Sequence, residues 1–322
     1  MQSDHFDGKH FFTPGAPPIA GWKMILRWWF SKGARGHWPR WIDIPQQVPP
    51  SLSASSEKES PDRAIATWVG HSTFLLQTTA GNFITDPVFS QHAGPLGISG
   101  PPRVHAPGVP FESLPKIDYI LLSHDHYDHC DLKTLRRLMR RDSPVAITPL
   151  GNGRLFRRAG FQKAIELDWW ENAAISTDTR VTVTPAQHWS KRLSSTRCSR
   201  LWGGFFLEIG SLRIYFTVDT GYNDQFFHDI RTRLGQPDLA MIPIGAYEPR
   251  WFMTPQHCNP AEAVKIHQKI GSKLSLAMHW GTFRLTDEGR DDPPNALAAA
   301  LTKQKISPAS FRVLQPGESV CV

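Results

Sequence analysis

Cysteine is scarce in this chain, with four in 322 residues: Cys130, Cys198, Cys258 and Cys321. They are far apart and form no CxxC pair. No disulfide framework is expected, and a reducing compartment fits. Cys130 reads as a small buried hydrophobe. Long apolar runs are also missing. No stretch of 18 apolar residues exists, so no membrane-spanning helix is expected. The opening MQSDHFDGKH lacks the apolar segment of a secretory signal, which leads us to expect a cytoplasmic protein. No repeat at solenoid periods is visible. What is present suffices for a soluble globular chain: 40% apolar and 20% charged residues. The length allows one large α/β domain or two small ones. A net charge of +7 points to an acidic partner (phosphate, an anionic lipid surface or nucleic acid), although a charge this moderate also occurs with no such partner.

The densest chemistry is Ser123-His124-Asp125-His126-Tyr127-Asp128-His129. An apolar run, Tyr119 to Leu122, precedes it, and a leucine-periodic basic segment, Leu132 to Arg141, follows. The pattern predicts strand, loop, helix. Neutral imidazole nitrogens and carboxylate oxygens suit zinc or a similar divalent ion. Alternate residues of an extended segment face one way, so His124 and His126 can grip one ion. Asp128 and His129 follow where the chain turns, and can face a second.

Residues 1–62 read as an aromatic arm and linker, and 63–322 as the main domain. In the arm, Trp22, Ile25, Leu26 and Trp29 are spaced as one helical face, with Lys23 and Arg27 off it. This fits an interfacial membrane helix or an arm packed on the domain. Gln46 to Asp62 reads as a linker or exposed loop. From Arg63 onward, strands are predicted at 64–69, 73–78, 83–87, 119–122, 145–148, 165–167 and 181–188. Further strands follow at 205–209, 212–218, 239–244, 274–278 and 311–314. Helices are predicted near 152–159, 224–234, 260–270 and 295–303. Strands followed by strand–helix alternation, twice over, suggest a two-sheet sandwich with helices outside.

Four strand ends each deliver a metal-capable residue: the 124–129 cluster, His188, Asp219 and His279. Two ions need about three or four protein ligands each, with one carboxylate shared. The count closes if His124, His126 and His188 hold one ion, Asp128, His129 and His279 the other, and Asp219 bridges.

This pattern resembles the metallo-β-lactamase superfamily, an α+β fold built as a four-layer αβ/βα sandwich. The match narrows at Trp68-Val69-Gly70-His71, Thr85-Asp86-Pro87, Ile165 to Glu171, Gln187-His188-Trp189, Asp219 to Tyr222, Ile242 to Met253, Gln256-His257 and His279 to Phe283. These look like the N-acyl-phosphatidylethanolamine-hydrolysing phospholipase D family, over roughly four-fifths of the chain from Arg63. The resemblance implies two Zn²⁺ or similar ions on the same seven ligands. It also implies a bridging hydroxide as nucleophile, with phosphatidic acid and an N-acylethanolamine as products. Asp128, Asp219 and His257 are expected to act in the chemistry, Gln256 and His257 to line the substrate cavity, and Asp86 to support the ligand loop from behind. It further implies a phospholipid substrate, peripheral contact with the membrane's inner face and a homodimer.

Departures lie in the loop after Pro87 and in the basic loop 191–201. Lys133, Arg136, Arg137, Arg140 and Arg141 stud one helix and Lys191, Arg192, Arg197 and Arg200 one loop, either to meet an anionic surface or, on the helix, as a solvated face. His71 fits a structural hydrogen bond or a substrate contact, and Asp125 an outward position or one behind the ligands. The rival reading is a dinuclear hydrolase of a small soluble ester, lactone or sugar phosphate. No nucleic-acid partner is expected, since no added domain or aromatic-interleaved basic patch is seen.

Overall fold

The structure, a computed structural model, describes residues 3–17, 21–31, 35–52, 62–192 and 197–322, without the side chains of Trp22, Ile25 and Trp29. Apolar runs broken by glycine and asparagine turns fold into two halves with one plan. In the first, β1 (Ala64–Gly70), β2 (Thr73–Thr78) and β3 (Gly81–Thr85) form an antiparallel meander. Then β4 (Tyr119–Leu121), β5 (Val145–Pro149) and β6 (Ile165–Leu167) add in parallel, with Ile84 opposite Ile120 and Ile120 opposite Ala146. In the second, β7 (Asn172–Ala174), β8 (Thr179–Thr184), β9 (Gly204–Ile209) and β10 (Leu212–Phe216) are antiparallel. There β11 (Leu239–Pro243), β12 (Leu274–Met278) and β13 (Phe311–Arg312) continue in parallel. The last strand, β14 (Ser319–Cys321), returns to the first sheet beside β1, so each sheet has seven strands.

Period-two alternation decides which way each side chain points. Trp68, Phe74, Leu76 and Phe83 join the core shared with Phe205, Ile214 and Phe216 of the second sheet. Leu75, Ile84 and Ile120 point the other way. There they meet Leu135 and Leu138 of α2 (Leu132–Asp142) and Leu155 and Phe156 of α3 (Gly153–Arg158). On the second sheet, α4 (Asp224–Leu234), α6 (Pro260–Ile270) and α7 (Asp292–Gln304) bury Ile230, Val264 and Leu297 in the main core. Each such buried side chain contributes about 1.5–3 kcal/mol. The result is the expected αβ/βα sandwich.

Local signals set the helix ends. Asn259 accepts from the Glu262 amide at 2.8 Å while the Glu262 carboxylate accepts from the Asn259 amide at 2.9 Å, and Gly271 closes α6 at φ +67°. Asp131 starts α2 by accepting from the Lys133 amide.

Some elements differ from the sequence reading. The strand expected at 181–188 is Thr179–Thr184, and residues 185–188 leave the sheet before reaching His188. The short β7 and β14 and the four-residue α5 (Arg250–Met253) carry too little pattern to be read. Of the stretch 46–62, residues 53–61 lie outside the described residues. Residues 46–52 are an exposed strap pinned by the Gln47 amide donating to the Gly108 carbonyl at 2.7 Å.

The arm contains α1 (Trp22–Phe30). Three residues of its expected apolar face, Trp22, Ile25 and Trp29, have side chains outside the described set, and Leu26 is 41% exposed. Among the described side chains of α1, Met24 and Trp28 pack on Ala246, Phe252 and Met253. Trp28 stacks on Phe252 at 5.1 Å and donates its indole N–H to Asp287 at 2.9 Å.

Candidate metal centre

The parallel strands β4, β10 and β12 end at one rim of the sandwich, where the ligand candidates meet. Asp86, just past β3, organises the loop after β4. Its Oδ1 accepts from the Ser123 amide at 2.8 Å, and its Oδ2 from the Ser123 hydroxyl at 2.6 Å and from His129 Nδ1 at 2.7 Å. Ser123 Oγ, having given its proton to Asp86, accepts from His124 Nδ1 at 2.9 Å. His188 Nδ1 donates to the Gln256 carbonyl at 2.9 Å. These partners fix ring orientation, leaving the Nε2 atoms of His124, His129 and His188 turned inward.

The inward atoms form two sets. His126 Nδ1 is 2.9 Å from His124 Nε2 and 3.3 Å from His188 Nε2. Asp128 Oδ2 is 3.4 Å from both His129 Nε2 and His279 Nε2. Between the sets stands Asp219, whose Oδ2 is 3.1 Å from His129 Nε2, 3.0 Å from His279 Nε2 and 3.9 Å from His188 Nε2. All seven predicted residues are thus brought together, with Asp219 in the shared position. His129 Nε2, His279 Nε2 and Asp219 Oδ1 are buried without a hydrogen-bond partner. Buried orphaned donors and acceptors converging from five imidazoles and two carboxylates fit a divalent cation better than they fit one another.

The electrostatics of the two sets differ. In the all-imidazole set, burial and neighbouring rings push His126 down to about 3 and His188 to about 4, and His124 goes the same way. In the acidic set, burial also pulls the imidazoles down, but Asp219 and Asp128 overcome it. His129 rises well above its ordinary value and His279 rises to about 9. Burial pushes Asp128 and Asp219 up, yet the adjacent His129 and His279 hold both well below the carboxylate range. The acidic set therefore demands positive charge, which imidazolium protons supply in the bare protein and a metal can replace.

Three features of the site had weak or ambiguous sequence signals. Buried His71 sits 3.0 Å by its Nε2 from Asp128 Oδ2, while its carbonyl accepts from the His279 amide at 3.0 Å and its amide donates to Thr282 Oγ1 at 2.9 Å. Its signal is the Gly70-His71 turn, at φ +136° and +54°. Asp125 is buried behind the ligands, paired with Arg200 at 2.6 Å. Arg192 donates to the carbonyls of Asp125 and Cys130. Through Arg192 and Arg200 the basic loop braces the metal loop; its residues 193–196 lie outside the described set. On α2, Arg137 pairs with Glu112 and Arg141 with Asp142, which leaves Lys133, Arg136 and Arg140 as that helix's solvent-side charge.

Backbone strain gathers at this rim. His71, Asp86, Val218, Ala246 and His279 all hold positive φ without being glycine. Above the ligands opens a cavity of about 350 Å³. Its upper wall is apolar, with Trp28, Ala246, Phe252, Met253 and Leu285, and Gln256 and His257 line it as expected. The Gln256 carbonyl also holds His188. His257 is 5.0 Å ring to ring from His188 and 5.4 Å from His279, and burial holds it neutral, well below its ordinary value.

Comparison with known proteins bears on the family and the fold. The family model described as a β-lactamase superfamily domain matches residues 81–280, more than half of the chain. N-acyl-phosphatidylethanolamine-hydrolyzing phospholipase D 1 of Caenorhabditis elegans is 36% identical over 264 residues, covering 79% of this chain and 74% of that protein. The mitochondrial N-acyl-phosphatidylethanolamine-hydrolyzing phospholipase D of Saccharomyces cerevisiae is 34% identical over 236 residues, 72% of this chain and 50% of that protein. Among solved structures, the metallo-β-lactamase fold protein YhfI from Bacillus subtilis superposes with a TM-score of 0.56 at 18% identity, covering 81% of this chain and all of that one. The chain belongs to the metallo-β-lactamase superfamily, in the family it shares with the N-acyl-phosphatidylethanolamine-hydrolysing phospholipases D, and is a metal-dependent hydrolase.

Proposed function

We propose that the protein is a phospholipase-D-type phosphodiesterase with two zinc or similar divalent ions, acting on an N-acyl-phosphatidylethanolamine or a related phospholipid. The observation that carries this reading is the pairing of polar floor and apolar wall in one cavity. His126, Asp128, Asp219 and His279 form the floor, and Trp28, Phe252, Met253 and Leu285 the wall. A phosphodiester flanked by acyl chains needs both. The names of the relatives above support the same chemistry.

His124, His126 and His188 would hold one ion, Asp128, His129 and His279 the other, and Asp219 both. When bound, such ions make water a usable nucleophile near neutral pH and offset charge on phosphoryl oxygens. The chain's own groups do the rest. Asp86, Ser123 and the Gln256 carbonyl keep ligand rings in their productive tautomers. His257, neutral and lining the cavity, can offer its ring N–H as a hydrogen bond to a phosphoryl or leaving oxygen. The apolar wall excludes bulk water from the acyl side. In the balanced reaction, water's oxygen bonds to phosphorus, the bond from phosphorus to the ethanolamine oxygen breaks, one of water's protons ends on that oxygen and the other leaves with the phosphomonoester or to solvent.

Membrane contact belongs to this proposal. Among the described residues no helix is long and apolar enough to cross a membrane. Leu26 at 41% and Phe30 at 74% exposure are one turn apart on α1, and Arg27 covers the Trp251 ring at 4.6 Å beside them. That mix suits a lipid interface.

The test is metal analysis of the purified protein with a substrate panel. About two equivalents of zinc or a similar ion are expected. Release of an N-acylethanolamine and phosphatidic acid is expected from N-acylated lipid. Turnover confined to lactones, soluble esters or sugar phosphates would refute the phospholipid reading.

A further inference from the structure

Beside the metal centre is a second concavity of about 180 Å³, and the Tyr127 side chain is part of the wall of both. It carries Lys133 and Arg136 from the first turns of α2, Arg192 from the bracing loop, and His92. Its single acid, Asp131, is buried and already engaged. The Asp131 carboxylate accepts from the Ser90 and Lys133 amides and from the Thr134 hydroxyl. Among the described residues Arg136 donates only to a neutral carbonyl, that of Arg158 at 3.3 Å. Among the described residues neither Lys133 nor Arg136 has a carboxylate partner. His92 Nδ1 is buried with no hydrogen-bond partner. A concave wall with more cations than its one engaged carboxylate can balance focuses positive potential and binds an anion.

The rim indicates the source of that anion. Leu96 lines the pocket and Ile98 follows two residues on, at 69% and 70% exposure. Cations in the floor with large apolar side chains on the lip match a bilayer surface, where a charged headgroup sits beside acyl chains. The same loop contributes Ala93 to the catalytic cavity, so one short segment borders both openings.

We propose that this basic pocket is a second phosphate site, taking the phosphomonoester headgroup of an anionic phospholipid and seating the bilayer against the catalytic mouth. It rests on the phospholipid reading above only for the source of the phosphate. Phosphatidic acid, the product of the proposed reaction, has this headgroup, so product left in the bilayer would recruit further enzyme.

The experiment uses the metal-loaded protein and phosphatidylcholine vesicles containing either phosphatidic acid or an equal share of phosphatidylglycerol. Lys133→Glu and Arg136→Glu test the pocket, and Lys303→Glu on α7 is the charge-matched control. Arg192 is left intact because it holds the metal loop. Wild-type protein is expected to prefer phosphatidic acid. Each pocket variant should lose about tenfold in affinity for those vesicles and lose the preference for monoester over diester, while the control keeps the preference. If a Glu variant unfolds, Lys133→Gln and Arg136→Gln should give the same ordering with a smaller loss. Competition by millimolar inorganic phosphate would mean that the pocket also takes the free ion, and its failure that only the lipid-borne group binds. Absence of a preference in the wild type, or equal loss in Lys303→Glu, would overturn the site. Because binding is read without turnover, failure to hydrolyse phospholipid would remove only the functional reading above.

Discussion

Arg200→Met isolates the brace behind the metal loop. Asp125 is fully buried and its carboxylate is 2.6 Å from Arg200 Nη1, with Arg200 itself only 8% exposed. Burial already pushes Asp125 above its ordinary value, against the pull of Arg200. Methionine keeps much of the length and apolar stem and removes the charge. Two unit charges about 4 Å apart at an effective dielectric near 20 attract by about 4 kcal/mol. Breaking a buried pair from one side costs about 3–5 kcal/mol. With a urea slope of about 3 kcal/mol/M, a loss of about 4 kcal/mol moves the unfolding midpoint down by about 1.3 M. Removing both charges in Asp125→Asn/Arg200→Met should recover most of the loss, because the buried pair itself is close to neutral against an uncharged replacement. The assay is urea unfolding of wild type, both single variants and the double variant, at matched metal content. An unchanged midpoint in Arg200→Met, or a double variant no better than that single one, would refute the account of a load carried by this pair.

His71→Phe keeps the ring packing against His279 and Phe283 and removes the hydrogen bond to Asp128. Metal affinity should fall about 10- to 100-fold in a chelator competition, with an unshifted competition curve counting against the role. Trp28→Ala removes the stack on Phe252 and the hydrogen bond to Asp287. It should weaken hydrolysis of vesicle substrate more than that of a short-chain soluble phosphodiester, and equal losses would make α1 a purely structural strut.

The seven ligand candidates were legible because each follows an apolar strand, and strand ends are where an α/β sandwich gathers side chains. Asp86 and the Gln256-His257 pair were legible only through resemblance, since nothing local marks an aspartate before a proline as the partner of a histidine 43 residues away. His71 was visible but roleless. Its meaning depends on the ends of β1 and β12, which belong to different sheets, meeting at the rim, a fact of how the two sheets pack. Arg200 was not singled out because a basic, serine-rich loop shows only its charge, and nothing local reveals that burial of Asp125 draws one of its cations inward. In the arm, Met24 and Trp28, at i and i+4, fit the notch at Phe252, a contact that tryptophan spacing alone does not single out.

The ligand groups come from both halves of the molecule: 124–129 from the first sheet, and His188, Asp219 and His279 from the second. A cation held there is also a rivet through the seam of the sandwich. Stripping it should cost more than chemistry. It would release the imidazolium–carboxylate cluster to hold the rim by itself, and the rim is where non-glycine residues are bent into left-handed turns. The halves should then part first at this edge, and proteases that find the metal-free protein should cut nearest the loops that converge on it.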